Sequence, residues 1–111
     1  MAGKFEIKKA KDDEFYFHLK AANGQIILSS QMYTEKSSAH EGVESVKKNA
    51  RDDKHYERKD EKNGKHMFNL KAANHQVIGT SQGYTTTSAR EEGIASVKEN
   101  APGAVVVDET V

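Results

Sequence analysis

Residues 19–50, LKAANGQIILSSQMYTEKSSAHEGVESVKKNA, recur without a gap at residues 70–101 as LKAANHQVIGTSQGYTTTSAREEGIASVKENA, a shift of 51 positions with 19 of 32 residues identical. The register also runs backwards, pairing Phe17 with Phe68, Lys8 with Lys59, Glu6 with Glu57 and Phe5 with Tyr56. Repeat one therefore spans residues 4–50, repeat two residues 55–101, and residues 104–108 form a terminal strand. Each repeat lies near the lower size limit for a self-sufficient hydrophobic core, so the two copies are expected to share one core within a single domain, residues 1–111. Open repeat arrays generally need three or more units. Two units point instead to closed pairing about a pseudo-twofold axis, the intrachain equivalent of an isologous dimer.

Charged residues make up 31% of the chain and hydrophobic ones 35%, but the apolar residues are periodic rather than scattered, which argues for a folded chain. The 17 basic and 17 acidic residues cancel. That balance removes the simplest route to nucleic acid or an anionic membrane, since both partners draw affinity from a surplus of Lys and Arg. There is no cysteine, hence no disulfide framework, thiolate nucleophile or Cys-based zinc site. No apolar run approaches the roughly 18 residues of a membrane span or resembles a signal-peptide core, so a cytoplasmic monomer is expected.

Residues 4–9 alternate polar and apolar, placing Phe5 and Ile7 on one strand face. After the turn KDDE, residues 14–21 put Phe15, Phe17, Leu19 and Ala21 on one face and Tyr16, His18 and Lys20 on the other. Asn23-Gly24 then reads as a type I′ hairpin turn leading into a third strand, Gln25–Ser29. The second copy has Asn74-His75 there, and His meets a steric cost in the left-handed region that Gly avoids. From Thr34 to Asn49 the period changes to 3.6, with Ala39, Val43, Val46 and Ala50 on one helix face and Ile94, Val97 and Ala101 in register. Thr34 and Thr85 are the expected N-caps, with Ser38-x-x-Glu41 and Ser88-x-x-Glu91 as competing capping boxes. Asn49 and Asn100 suit a left-handed helix end.

Gly42 and Gly93 interrupt the helices although Gly costs about 0.8–1 kcal/mol there relative to Ala, which points to close packing against the sheet or the twin helix. Pro102-Gly103 ends the second helix. The terminal strand after it has no partner in its own three-strand unit, and crossing to the other unit's sheet would account for the shared core and the missing linker.

AANGQII, the Ser-Gln-x-Tyr-Thr run and the helix ending Gly-Val-Glu-Ser-Val-Lys-Lys-Asn-Ala, each repeated, resemble the YegP-like family of small, mostly bacterial proteins of unknown function, in its tandem form. The resemblance covers nearly the whole chain. It implies an α+β fold of two β-β-β-α-β units forming one pseudo-twofold sheet with exchanged C-terminal strands and one helix per repeat. His75 in place of the hairpin Gly, and Gly83 where copy one has Met32, depart from the pattern. No catalytic residues carry over.

Polar positions shared by the copies include Lys20/Lys71, Ser30/Ser81, Gln31/Gln82 and Glu41/Glu92, with the amphipathic pair Tyr33/Tyr84, whose rings are expected to be buried. None of the five histidines recurs at its matching position, and neither a zinc ligand set nor a phosphate-loop motif is present, so no metal, cofactor or catalytic residue is assigned. No residue names the function or the partner; the expectation is a non-catalytic binding or interaction module, not an enzyme, with a protein as one partner class. The candidate surface is Tyr16, His18 and Lys20 with Lys71 of the second copy. Single-stranded nucleic-acid binding through that sheet face, by stacking on Tyr16 and His18, is the first alternative. An enzyme built from dispersed residues is the second, and nothing in the sequence recommends it.

Overall fold

A computed structural model describes residues 3–110. The strands are β1 (Lys4–Lys9), β2 (Phe15–Lys20), β3 (Ile26–Ser29), β4 (Tyr56–Asp60), β5 (His66–Lys71), β6 (Val77–Thr80) and β7 (Val105–Asp108); the helices are α1 (Lys36–Asn49) and α2 (Thr87–Asn100). All seven strands form one sheet in the order β4-β5-β6-β3-β2-β1-β7. The sheet is antiparallel except where β7 crosses to lie parallel to β1, so the terminal strand completes the first half rather than its own.

The halves meet at one bridge, Ser29 opposite Thr80, and these residues occupy equivalent positions in the two copies. The pseudo-twofold axis therefore passes through that bridge. Beside it, Leu28 is buried, and a Cβ added to its counterpart Gly79 would lie 2.5 Å from Leu28 Cδ2. The axis has room for one leucine.

Both helices cover the same face. α1 packs on β1 and β2 of its own half and reaches β5 and β6 of the other, while α2 packs on β5 and reaches β3. Phe5, Ile7, Phe17, Leu19, Phe68 and Leu70 are fully buried beneath them. This is the physical form of the shared core: each helix is too narrow a cover for its own strands and closes over strands of its twin.

Gly42 and Gly93 make room for tyrosine rather than for backbone. Tyr33 stacks on Phe17 with ring centres 6.3 Å apart, Tyr84 on Phe68 at 6.5 Å, and a Cβ at either glycine would collide with the tyrosine hydroxyl. Both rings are half-buried, and that burial raises their hydroxyl pKa values.

Three local expectations are corrected. The β2–β3 hairpin is not a two-residue type I′ turn: Gly24 N–H donates to Ala21 O at 2.9 Å, Ala21 N–H donates to Gln25 O at 2.9 Å, and only Gly24 has positive φ (86°). This is a three-residue loop with one left-handed residue and a bulge, a geometry that Asn23 supports by accepting the Gln25 N–H at 3.0 Å. The β1–β2, β4–β5 and β5–β6 turns repeat it, with Asp13, Gly64 and His75 in the left-handed position.

The helices start later than their threonines suggest. The N-cap of α2 is Thr86, whose hydroxyl accepts the Ala89 N–H at 3.0 Å, and the equivalent N-cap of α1 is Glu35, which makes no side-chain cap. Ser38 and Ser88 fall inside the helices, so neither capping box forms. Asn49 and Asn100 are the last helical residues, and both helices exit through right-handed alanines, Ala50 and Ala101. The two asparagines are buried and turn their Nδ2 groups back to Ser45 O and Ser96 O, each at 2.8 Å.

Candidate functional site: the helix-free face of the sheet

Because strand residues alternate between faces, burying Phe15, Phe17 and Leu19 sends Tyr16, His18 and Lys20 to the side without helices. The antiparallel register places Lys4, Glu6 and Lys8 of β1 on that same side. Glu6 lies at the centre of this group with only 3% of its surface exposed. Its carboxylate meets Lys20 Nζ at 3.0 Å, Lys4 Nζ at 3.2 Å and Lys8 Nζ at 3.9 Å. Burial alone would push its pKa up; the hydrogen bonds and charge of Lys20 and Lys4 outweigh it and hold the carboxyl at about 2.

The second half repeats this cluster in weaker form. Glu57 meets Lys71 at 3.0 Å, Lys59 at 3.7 Å and Asn69 Nδ2 at 3.2 Å, and Thr80 Oγ1 donates to Asn69 Oδ1 at 2.9 Å. Lys71 and then Asn69 draw the Glu57 pKa down. Lys20 and Lys71, read in sequence as cations open to a partner, are thus each engaged by a carboxylate of the adjacent strand.

The four candidate residues form two groups rather than one. Tyr16, His18 and Lys20 line β2, Lys71 stands on β5, and β3 and β6 lie between them. The Tyr16 and His18 rings meet edge to face at 5.2 Å. Burial, then the nearby Lys8 charge, lowers the His18 pKa and favours neutral imidazole.

Between the two groups, sequence reasoning missed a groove of about 400 Å³ along the seam of β3 and β6. Ile26 and Val77 form its apolar walls, 40% and 37% exposed, and Ser29, Thr80, Gln31 and Gln82 surround them. The groove lies where the two strands pair through one bridge only. Ser30 and Ser81 mark where the ladders stop, each hydroxyl accepting a backbone N–H from Phe17 or Phe68 at 2.8 and 2.9 Å. The signal available in sequence was the outward position of the first apolar residue in IILS and VIGT, which the bulge before it obscures.

Fold and site define a pseudo-twofold α+β protein in which a duplicated unit makes one sheet with a single open face. The chain belongs to the family described as "Domain of unknown function (DUF1508)", whose model matches twice, at residues 10–57 and 61–108. The matched segments are 51 residues apart, the same shift as the sequence repeat. The chain is 54% identical over 110 residues to the UPF0339 protein YegP of Escherichia coli K12, covering 99% of this chain and 100% of that protein. The solution NMR structure of E. coli yegP, described as a protein of unknown function, superposes with a TM-score of 0.94 at 54% identity, over 99% of this chain and 95% of that one. A UPF0339 protein structure from Shewanella oneidensis gives the same TM-score at 50% identity, over 99% and 93% of the two chains. These relatives carry no assigned activity in their descriptions. No helix among the described residues is long and apolar enough to cross a membrane.

Proposed function

We propose that the chain is a non-catalytic, monomeric binding module of the cytoplasm that receives an extended polypeptide segment in the seam groove. The observation that carries this reading is the pair Ile26 and Val77, two exposed apolar side chains at equivalent positions on either side of the axis. An extended segment laid across them would place alternate apolar side chains on the groove walls and its polar groups against Ser29, Thr80, Gln31 and Gln82. The lysine clusters on both flanks would contact the ends of the segment. The nucleic-acid alternative has less support, because Lys20 and Lys71 are each paired with a carboxylate of the adjacent strand.

The test is selection of peptides displayed on phage against the immobilised protein, followed by titration of the enriched peptides. Peptides with alternating apolar residues should bind, and the Ile26→Lys/Val77→Lys double variant should weaken them at least about tenfold. Equal binding to that variant, with loss only in a Tyr16→Ala/Lys20→Ala/Lys71→Ala variant, would move the site from the groove to the flanks. Enrichment by oligonucleotides but not by peptides would overturn the proposal.

A further inference from the structure

Each half has a cleft between the turn that opens its first strand and the hairpin that follows its second, and the two clefts have diverged in chemistry. In the first half the wall is Gly3, Lys4, Ala21, Ala22 and Gly24, and Val105 of β7 stands at its side. In the second half the equivalent positions are Lys54, His55, Ala72, Ala73 and His75, and Lys71 joins them around a cleft of about 440 Å³. Three changes, Gly to Lys54, Lys to His55 and Gly to His75, gather two lysines and two histidines where the first half has one basic wall residue. Among the described residues no strand corresponding to β7 lies beside β4, so the second cleft has no counterpart of Val105 at its side.

His75 occupies its place against a steric preference. It holds the left-handed position of its turn at φ 71°, where the first half uses Gly24 at φ 86°. Asp13 also adopts this conformation, at φ 67°, but its carboxylate pairs with Lys9 at 3.4 Å. Among the described residues only one histidine ring, His66, makes a side-chain hydrogen bond, so the His55 and His75 rings bring unused N–H donors to the cleft. In the left-handed position His75 meets a steric cost that Gly24 does not, while closing the same hydrogen-bonded turn.

The two lysines are partly engaged: Asp52 lies 3.5 Å from Lys54, and Glu57 lies 3.0 Å from Lys71. A ligand engaging all four groups needs several acceptor oxygens and enough negative charge to compete with Asp52 and Glu57 for the lysines. Ala72 and Ala73 offer its body a small apolar wall.

We propose that this cleft binds a small phosphate monoester, with Lys54 and Lys71 facing the phosphate charge and the His55 and His75 rings donating hydrogen bonds to its oxygens. The cleft shares Lys71 with one flank of the seam groove but none of the groove's lining residues, so loss of peptide binding in Ile26→Lys/Val77→Lys and loss of phosphate binding in His75→Gly are separable results.

The experiment is titration of the isotope-labelled full chain with inorganic phosphate and with phenyl phosphate, read by amide chemical shifts against sodium chloride at matched ionic strength. Saturable shifts at Lys54, His55 and His75 are expected, larger than those at Lys4 and Gly24 of the counterpart cleft, with phenyl phosphate binding at least as tightly as the inorganic ion. The His75→Gly variant should bind about tenfold more weakly while its denaturation midpoint stays at or above that of the parent. Shifts reproduced by sodium chloride, shifts of equal size at both clefts, or unchanged affinity in His75→Gly would each overturn the proposal. So would a loss of affinity accompanied by a lower midpoint, which would assign the histidine a structural role.

Discussion

The two halves of this molecule share one repeat pattern and end with different outer edges. In the first half β1 is covered by β7, which is secured by Lys36 on Asp108 at 2.9 Å, Lys8 on Glu109 at 3.1 Å and the Glu109 N–H on Ile7 O at 2.9 Å. In the second half no strand among the described residues pairs with the outer edge of β4, and the counterpart of buried Ile7 is Arg58. Arg58 reaches Glu91 at 2.8 Å and Asp53 at 3.0 Å, and Lys98 joins Asp53 at 2.8 Å. Hydrogen bonds from Arg58 and then Lys98 depress the Asp53 carboxyl to about 2. Exposed ion pairs of this kind stabilise little. Their position along an unpaired strand is the more informative fact, since charge at a sheet edge discourages another strand from adding to it. A duplicated chain has one terminal strand for two edges, and the edge without it is guarded by charge.

Residues 1–52 expressed alone lack the second half altogether. That fragment keeps β1, β2, β3 and α1 but loses β7 and the strands of the second half that α1 covers. No cooperative monomeric transition is expected, only dimerisation or disorder. Sedimentation together with thermal circular dichroism reads the outcome, and a cooperative monomer would show that the halves do not depend on a common core.

The axis offers a sharper perturbation. Gly79→Leu sets two leucines against each other and should destabilise by roughly 1–3 kcal/mol in a urea titration. Adding Leu28→Gly reverses the asymmetry without changing the composition of the pair and should recover most of the loss. Failure of that rescue would mean the axis is not the reason the copies differ here.

Glu6 and Glu57 should respond unequally to acid. The folded-state carboxyl of Glu6 at about 2 lies below its ordinary 4.5, so the stabilisation it supplies is complete above pH of about 4.5 and is lost as pH falls towards 2. At neutral pH Glu6→Gln should cost on the order of 1–3 kcal/mol, since it removes the buried charge that Lys20, Lys4 and Lys8 surround. Glu57, more exposed, should cost less when changed in the same way. Urea unfolding of both variants at several pH values checks the order, which is wrong if the two losses are equal or if the Glu6 variant keeps the parent's acid slope.

The smallest difference lies at the helix starts. Thr86→Ala should destabilise by about 1 kcal/mol by removing the α2 cap, whereas Glu35→Thr should give α1 the cap that its twin already has and stabilise it by about 0.5–1 kcal/mol. Differential scanning calorimetry would detect both. Shifts of the same sign would mean that the two N-termini are not equivalent in structure.

Short-range patterns carried most of the architecture. The repeat shift, the period of 2 in β1 and β2, the change to 3.6 before α1 and the crossing of the terminal strand were all legible, because burial of one face imposes its periodicity on the residues themselves. Turn and cap details were less so. Asn23-Gly24 fits two hairpin geometries, and Thr34, Thr85 and Thr86 all stand near a helix start. Periodicity does not choose between neighbouring residues of similar chemistry.

The candidate face divides in the same way. That Tyr16, His18 and Lys20 share a side follows from strand alternation in the sequence alone. That Lys20 is held by Glu6 and Lys71 by Glu57 depends on the register between strands that the chain must fold to bring together. The seam groove, the single leucine at the axis and the basic cleft around His75 depend on how the halves meet and on which edge receives β7. By itself the sequence determined what each copy could become. Their differences in environment were decided in tertiary structure, because one terminal strand can cover only one of the two edges and two leucine side chains cannot both fill the axis.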